Sequence, residues 1–175
     1  MTREQFEHSV RAAASVLGVN EVLVIGSQAL HGSVSDDLPL EALRSVEVDV
    51  VAVSDADGRL ADLIDGSIGE ASMFHATFGY YAHGVSETTA VLPAGWRDRL
   101  VRFATPGTNG VTAWCLEPHD LWTAKAIAGR PKDVEFCRAL IDRELVTIDQ
   151  LRKRVDDVAS LDPRIRSNIL ARIAA

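Results

Sequence analysis

The stretch Val22–Ser33, "VLVIGSQALHGS", decides how this chain is read. Val22 to Ile25 form an apolar run that suits a buried strand bounded by a turn. Gly26 and Ser27 close the run with small side chains and leave backbone N–H groups open to an approaching anion. Ser27–His31 is compatible with a short helix. The exit alone does not separate a phosphate cradle from an ordinary strand-to-helix turn.

Upstream, Thr2 and Gln5 form a capping-box pattern. Phe6, Val10, Ala13, Ala14 and Leu17 follow at helical spacing until Gly18 stops the helix. The first strand is then Glu21–Ile25. Residues 32–44, "GSVSDDLPLEALR", read as a loop, and "SVEVDVVAVS" (45–54) as the second strand. A helix is expected over Gly58–Ile68. "FGYYAHGV" and "TTAVLP" read as two further strands with a turn near Ser86, and "VTAWCLEP" as a fifth.

After Pro118 the pattern turns helical. Pro118 and Pro131 each open a helix, to about Ala128 and Arg143, with Gly129-Arg130 between them. Thr147 with Gln150 caps a third helix, and Asp162-Pro163 begins a fourth. The expected fold is α/β (α+β): a small mixed sheet flanked by helices, with a helical C-terminal part. The expected division is a core over residues 1–117 and a helical part over 118–175.

A chain of 175 residues with 47% hydrophobic side chains can bury a sizeable core. No apolar run reaches the length of a membrane span. The opening "MTREQFEHSV" has no leader-like apolar core, and Cys115 and Cys137 lack metal-ligand spacing. Buried free thiols and a cytoplasmic location are therefore expected. The net charge of −7 argues against a nonspecific nucleic-acid coat. It is unevenly spread: residues 1–90 hold 4 Lys and Arg against 14 Asp and Glu, and residues 91–175 hold 14 against 11. That asymmetry suits a metal-bound site facing an anionic substrate, or merely solvated helix faces of different composition.

"RSVEVDVVAV" (44–53) adds the chemistry. Glu47 and Asp49 are two apart on a strand and so share a face, while Val48 and Val50 point to a core. Adjacent carboxylates repel unless a cation lies between them. The simplest resident is Mg²⁺, a hard ion that takes carboxylate oxygens and substrate phosphates together. Beside the Gly26-Ser27 exit, the pair suits phosphoryl-transfer chemistry. The competing reading is an acidic, solvated strand face.

Gly-Ser after one strand and an acidic pair on the next resemble the nucleotidyltransferases of the DNA polymerase β fold. "PHDLWTAKAIAGRPKDVEFCRALI" (118–141) looks like the branch that contains the AbiEii-type toxins. In that branch a helix carries a Lys and an Arg-x-Lys-Asp segment opens the next helix; here these are Lys125, Arg130, Lys132 and Asp133. The resemblance covers roughly residues 20–143. It implies nucleotidyl transfer from an NTP with Mg²⁺, to an RNA acceptor (the tRNA 3′ end) or a protein, and an antitoxin partner. Gly26 and Ser27 would bind the nucleotide with Lys125, Arg130 and Lys132, and Asp133 would be an active-site acid or would position Lys125 or Arg130. Glu47 stands where the family usually has Asp. A third metal carboxylate is expected on a later strand, and Glu87, beside the expected strand 88–92, is the candidate.

Other residues keep two readings. His31 lies near the Gly-Ser turn or is a hydrogen-bonded helix-end residue. Tyr80, Tyr81 and His83 stack a base or pack in the sheet. Trp96, Arg97, Arg99 and Arg102 touch RNA phosphates or form the solvated face of an amphipathic helix. Glu47 in place of Asp, and a missing third acid, favour a second reading, a non-catalytic nucleotide-binding or regulatory module on the same fold; a third is an interaction protein assembling through residues 144–175.

Overall fold

The computed structural model describes residues 1–35, 37–52, 55 and 57–174. Among them, eight helices flank a five-stranded mixed sheet. Helix α1 (Arg3–Leu17) starts from a complete capping box between Thr2 and Gln5 and ends at Gly18, whose φ of 68° is left-handed. Its inner face carries Phe6, Val10, Ala13 and Ala14 into the core. Burying Phe6 alone contributes about 2–3 kcal/mol.

The strands are β1 (Glu21–Val24), β2 (Glu47–Val51), β3 (Tyr81–Val85), β4 (Val101–Phe103) and β5 (Thr112–Cys115). Their order across the sheet is β3-β2-β1-β5-β4. β1 runs antiparallel to β2 and parallel to β5, and β2 runs parallel to β3. β1 and β5 therefore end on the same side of the sheet. The antiparallel register pairs Val24 with Val50, which brings the first half of β2 beside the exit of β1. Ile25 N–H donates to Asp49 O at 3.2 Å, continuing that pairing to the edge of Gly26.

Past the exit, Ser27–Gly32 forms a 3₁₀ turn. Its Gln28 is buried and donates to Ala42 O at 2.8 Å. Ala42 belongs to α2 (Leu40–Leu43), a short helix inside the expected loop 32–44, started by Pro39. Asp36 of that segment, and the end of the expected strand 45–54 (Val53 and Ser54), lie outside the described residues. Helix α3 (Arg59–Ile68) follows the expected bounds within one residue. Helix α4 (Met73–Phe78) was not expected: Ser72 caps it and Gly79, at φ 77°, ends it, so β3 begins at Tyr81 rather than at Phe78.

Two expected elements are corrected. "TTAVLP" is not a strand: Glu87–Thr89 is a 3₁₀ turn, and residues 90–93 join no ladder. Pro93 has no N–H to give a sheet, and Ala94 N–H bonds instead to Asp157 O at 2.9 Å. The amphipathic helix, one of the two readings kept for Trp96, Arg97, Arg99 and Arg102, is instead one 3₁₀ turn, Trp96–Arg99, followed by β4. The buried Phe103 drives this alternative, since the short strand pairs with β5 and seats that ring under the sheet.

β5 passes directly into α5 (Pro118–Ala128), whose first turn is capped by the Glu117 carboxylate. α6 (Pro131–Asp142), α7 (Ile148–Asp156) and α8 (Pro163–Ala174) complete the chain. Trp122 of α5 is buried and donates its indole N–H to Cys137 O of α6 at 2.9 Å. Cys115 and Cys137 are buried free thiols, as expected. Asp120 of α5, fully buried, accepts two hydrogen bonds from Arg99 and ion-pairs with Arg154 of α7, whose Nε lies 2.9 Å away. No helix among the described residues is long and apolar enough to cross a membrane.

Candidate active site

β2 alternates as its sequence requires. Val48 and Val50 are fully buried, while Glu47 and Asp49 face a cleft of about 450 Å³. The exit of β1 forms the floor beside them. Gly26 is needed there for space: a Cβ at this position would overlap the Asp49 carboxylate. A residue so closely covered is not part of a freely solvated strand face. The opposite wall comes from α5 and the start of α6, where Lys125, Arg130, Lys132 and Asp133 line the same cleft. Gly26, Ser27, Glu47, Asp49 and those four residues thus come together from the exit of β1, from β2 and from the distant helix pair α5 and α6.

The third position beside the carboxylates belongs to His83. The parallel register of β2 and β3 sets Asp49 against His83 and Glu47 against Tyr81. Each of Glu47, Asp49 and His83 offers a ligand atom within 4.8 Å of the others. His83 Nδ1 lies 3.1 Å from Glu47 Oε1 and 3.4 Å from Asp49 Oδ1. Tyr81 donates its hydroxyl proton to Glu47 Oε2 at 3.2 Å. Sequence reasoning left Tyr81 and His83 between base stacking and packing. Their spacing of two matches that of Glu47 and Asp49, and pairing the strands in parallel reveals the match. Tyr80, by contrast, is buried and joins an aromatic cluster with His8, Phe74 and Phe78.

Glu87 stands apart from this group. It sits in the 3₁₀ turn after β3 and is ion-paired with Arg97. Trp96 stacks beneath the same guanidinium, 4.6 Å from ring centroid to Arg97 Cζ. His31 is also elsewhere: it is buried in the core, stacked on Phe6 at 4.6 Å.

The electrostatics divide the cleft in two. Asp49 is pushed up to about 6 by burial, by the hydrogen bond it shares with Glu47, and by that neighbour's charge. Burial also works against the Glu47 charge, but the hydrogen bond from Asp49 and the charge of His83 outweigh it and hold Glu47 below the usual carboxylate range. Two acids that must share a proton gain from a cation placed between them. On the far wall Asp133 is buried and accepts from Arg130 Nε at 2.5 Å and Nη2 at 3.2 Å. Lys125 Nζ lies 3.6 Å from Asp133 Oδ1. Burial opposes the Asp133 charge, but these cations hold its carboxyl below the usual range. Lys132 is exposed at the cleft mouth and makes no ion pair among the described residues.

Two carboxylates at ligand distance on one strand face suit a hard divalent cation, and the donor set therefore fits the metal that nucleotidyltransferases use. Residues 6–171 match the family described as nucleotidyltransferase of unknown function (DUF6036), and the chain belongs to that family. No curated protein and no solved structure matches it.

Proposed function

We propose that the cleft transfers a nucleotidyl group from an NTP to an acceptor hydroxyl. The acceptor oxygen attacks the α-phosphorus, the bond to the β-phosphate bridging oxygen breaks, and pyrophosphate leaves while the hydroxyl proton passes to solvent or a nearby base. One observation carries the reading: the acidic pair Glu47 and Asp49 faces the cationic pair Lys125 and Arg130 across a single cleft. That polarity suits a triphosphate bridging a cation on one wall and ammonium and guanidinium groups on the other.

Each residue has a definable task. Glu47 and Asp49 hold Mg²⁺, which supplies neutralisation of charge on the reacting phosphate. Ser27 and the backbone after Gly26 receive phosphate oxygens. Lys125 and Arg130 stabilise the triphosphate, Lys as a point charge and Arg as a fork. Asp133 is a positioning residue, since its oxygens are committed to Arg130 and Lys125. On this reading residues 1–117 carry the metal side and the Gly26-Ser27 phosphate turn, and residues 118–175 the cationic wall. The AbiEii-type resemblance of residues 118–141 favours the tRNA 3′ end or a protein hydroxyl as acceptor, and a toxin role with an antitoxin partner.

A second reading is a nucleotide-binding module without turnover. It draws on His83, which stands where a third acid is expected. The deciding assay follows α-labelled NTPs into an RNA pool and, separately, into protein. Transfer by the wild type that is lost in Asp49→Ala, with the fold retained, supports the enzyme. Binding of NTP with transfer to neither pool overturns it in favour of the binding module. Full transfer by Asp49→Ala overturns the metal assignment.

A further inference from the structure

His83 lies among three carboxylates, two on the side of Nδ1 and one on the side of Nε2. Nδ1 faces Glu47 and Asp49, at 3.1 and 3.4 Å. Nε2 faces the Asp65 carboxylate, 4.0 Å from Oδ2. Asp65 comes from α3 and is held independently: its Oδ1 accepts the Gly84 N–H at 2.7 Å. That bond requires α3 to lie directly on β3, and Gly84 permits it, since a Cβ there would overlap the Ala61 backbone. The helix and the glycine thus place the Asp65 carboxylate behind the ring, at 4.0 Å, an ion-pair distance longer than a hydrogen bond.

This is how metal-binding histidines are usually supported. A ligating imidazole offers one nitrogen to the ion and gives the other N–H to a carboxylate, which fixes tautomer and ring orientation.

We propose that His83 is the third ligand of the cation site, through Nδ1, with Asp65 orienting the ring, and that the site prefers a first-row ion such as Mn²⁺ to Mg²⁺ more strongly than an all-carboxylate site would. Imidazole nitrogen suits first-row transition ions, whereas Mg²⁺ keeps to hard oxygen donors. The inference rests on the metal-dependent reading of the cleft and adds to it the ligand that sets ion preference. Asp65 is a positioning residue, because it acts only through the His83 ring.

The test is Mn²⁺ titration into the full chain, read by pulsed electron paramagnetic resonance for nitrogen coupling and by competition with Mg²⁺. The wild type should bind Mn²⁺ with nitrogen coupling. His83→Ala should lose the coupling and bind about tenfold or more weakly, and Asp65→Asn should weaken binding about tenfold while keeping the coupling. Mg²⁺ should displace Mn²⁺ from His83→Asp at lower excess than from the wild type. The His83 side chain is 46% exposed, so these variants open no core cavity, and circular dichroism verifies their fold. Mn²⁺ bound without nitrogen coupling, yet weakened by Asp49→Ala, overturns the His83 assignment and leaves nucleotidyl transfer standing. Coupling that persists in His83→Ala overturns it as well. Absence of any Mn²⁺ binding, with or without NTP, overturns both readings.

Discussion

Asp133 accepts both Nε and Nη2 of Arg130 and lies 3.6 Å from Lys125 Nζ, so one buried carboxylate holds both cations that face the acidic pair. Arg130 caps the start of α6 and Lys125 lies in the last turn of α5. The link therefore spans the break at Gly129 and sets the cationic wall as a unit.

Lys125→Ala should weaken NTP binding about tenfold, from loss of one charge-assisted contact, with little change in stability. Arg130 still neutralises Asp133 in that variant. Asp133→Ala should weaken NTP binding too, although it touches no phosphate, and should cost about 2 kcal/mol of stability by freeing two cations from a shared partner. Isothermal titration with NTP and urea unfolding check the pair. Unchanged NTP affinity in both variants would count against the cationic wall as a nucleotide site.

Gly26→Ala places a methyl group against the Asp49 carboxylate. The φ at Gly26 is −88°, so the backbone itself accepts alanine and the effect is steric. A stability loss of about 1–3 kcal/mol is expected, as for other overpacked sites. The rise in melting temperature on adding Mn²⁺ and NTP should fall in step, because Asp49 has been displaced. Thermal melts with and without ligand measure both effects.

His31 and Asp49 make opposing contributions to the pH dependence. Burial pushes the His31 imidazole down to about 4 from 6.5, helped by nearby positive charge from the amino terminus and Arg3. Its Nε2 has no hydrogen-bond partner among the described atoms. The unfolded chain takes up a proton near pH 6.5 that the folded core refuses. The stability is therefore complete above that pH and lost as pH falls toward 4, by about 3 kcal/mol in all. Asp49, raised to about 6, gains stability as pH falls through the same window. The His31 contribution is therefore read as the difference between wild type and His31→Gln in urea unfolding, a difference that should shift against the wild type as pH falls from 6.5 toward 4.

Asp120 binds Arg99 and Arg154 with no exposure of its own side chain. Asp120→Ala leaves Arg154, whose side chain is itself only 8% exposed, with Asp157 at 3.9 Å as its remaining carboxylate, and should cost about 3 kcal/mol. The double variant Asp120→Leu with Arg154→Leu should recover part of that loss, since an apolar pair avoids the unpaired charge. Failure of the double variant to recover anything would show that Arg99, rather than Arg154, needs the carboxylate. Denaturant midpoints measure the series.

Much of the local structure was legible. The Thr2–Gln5 capping box, the stop at Gly18, the Pro118 and Pro131 helix starts and the two-residue spacing of Glu47 and Asp49 are short-range signals, and the structure follows each of them. α4 and β4 were missed because their decisive contacts are distant. Phe103 needs the core under the sheet, and Gly79 can end a helix or open a strand equally well until its neighbours are placed. "TTAVLP" shows the converse: residue preference without a partner strand made no strand.

The sequence by itself determined which residues have the chemistry: a strand bearing Glu47 and Asp49, a Gly26-Ser27 exit, and a Lys125 helix followed by Arg130 and Asp133. Side-chain periodicity and turn chemistry act over a few residues, so one chain segment suffices to read them. Only the tertiary structure decided that His83 lies against Asp49, that Glu87 belongs to Arg97, and that Asp65 stands behind the His83 ring. Those relations depend on strand order and on α3 lying against β3, and no local propensity encodes which strand becomes which neighbour.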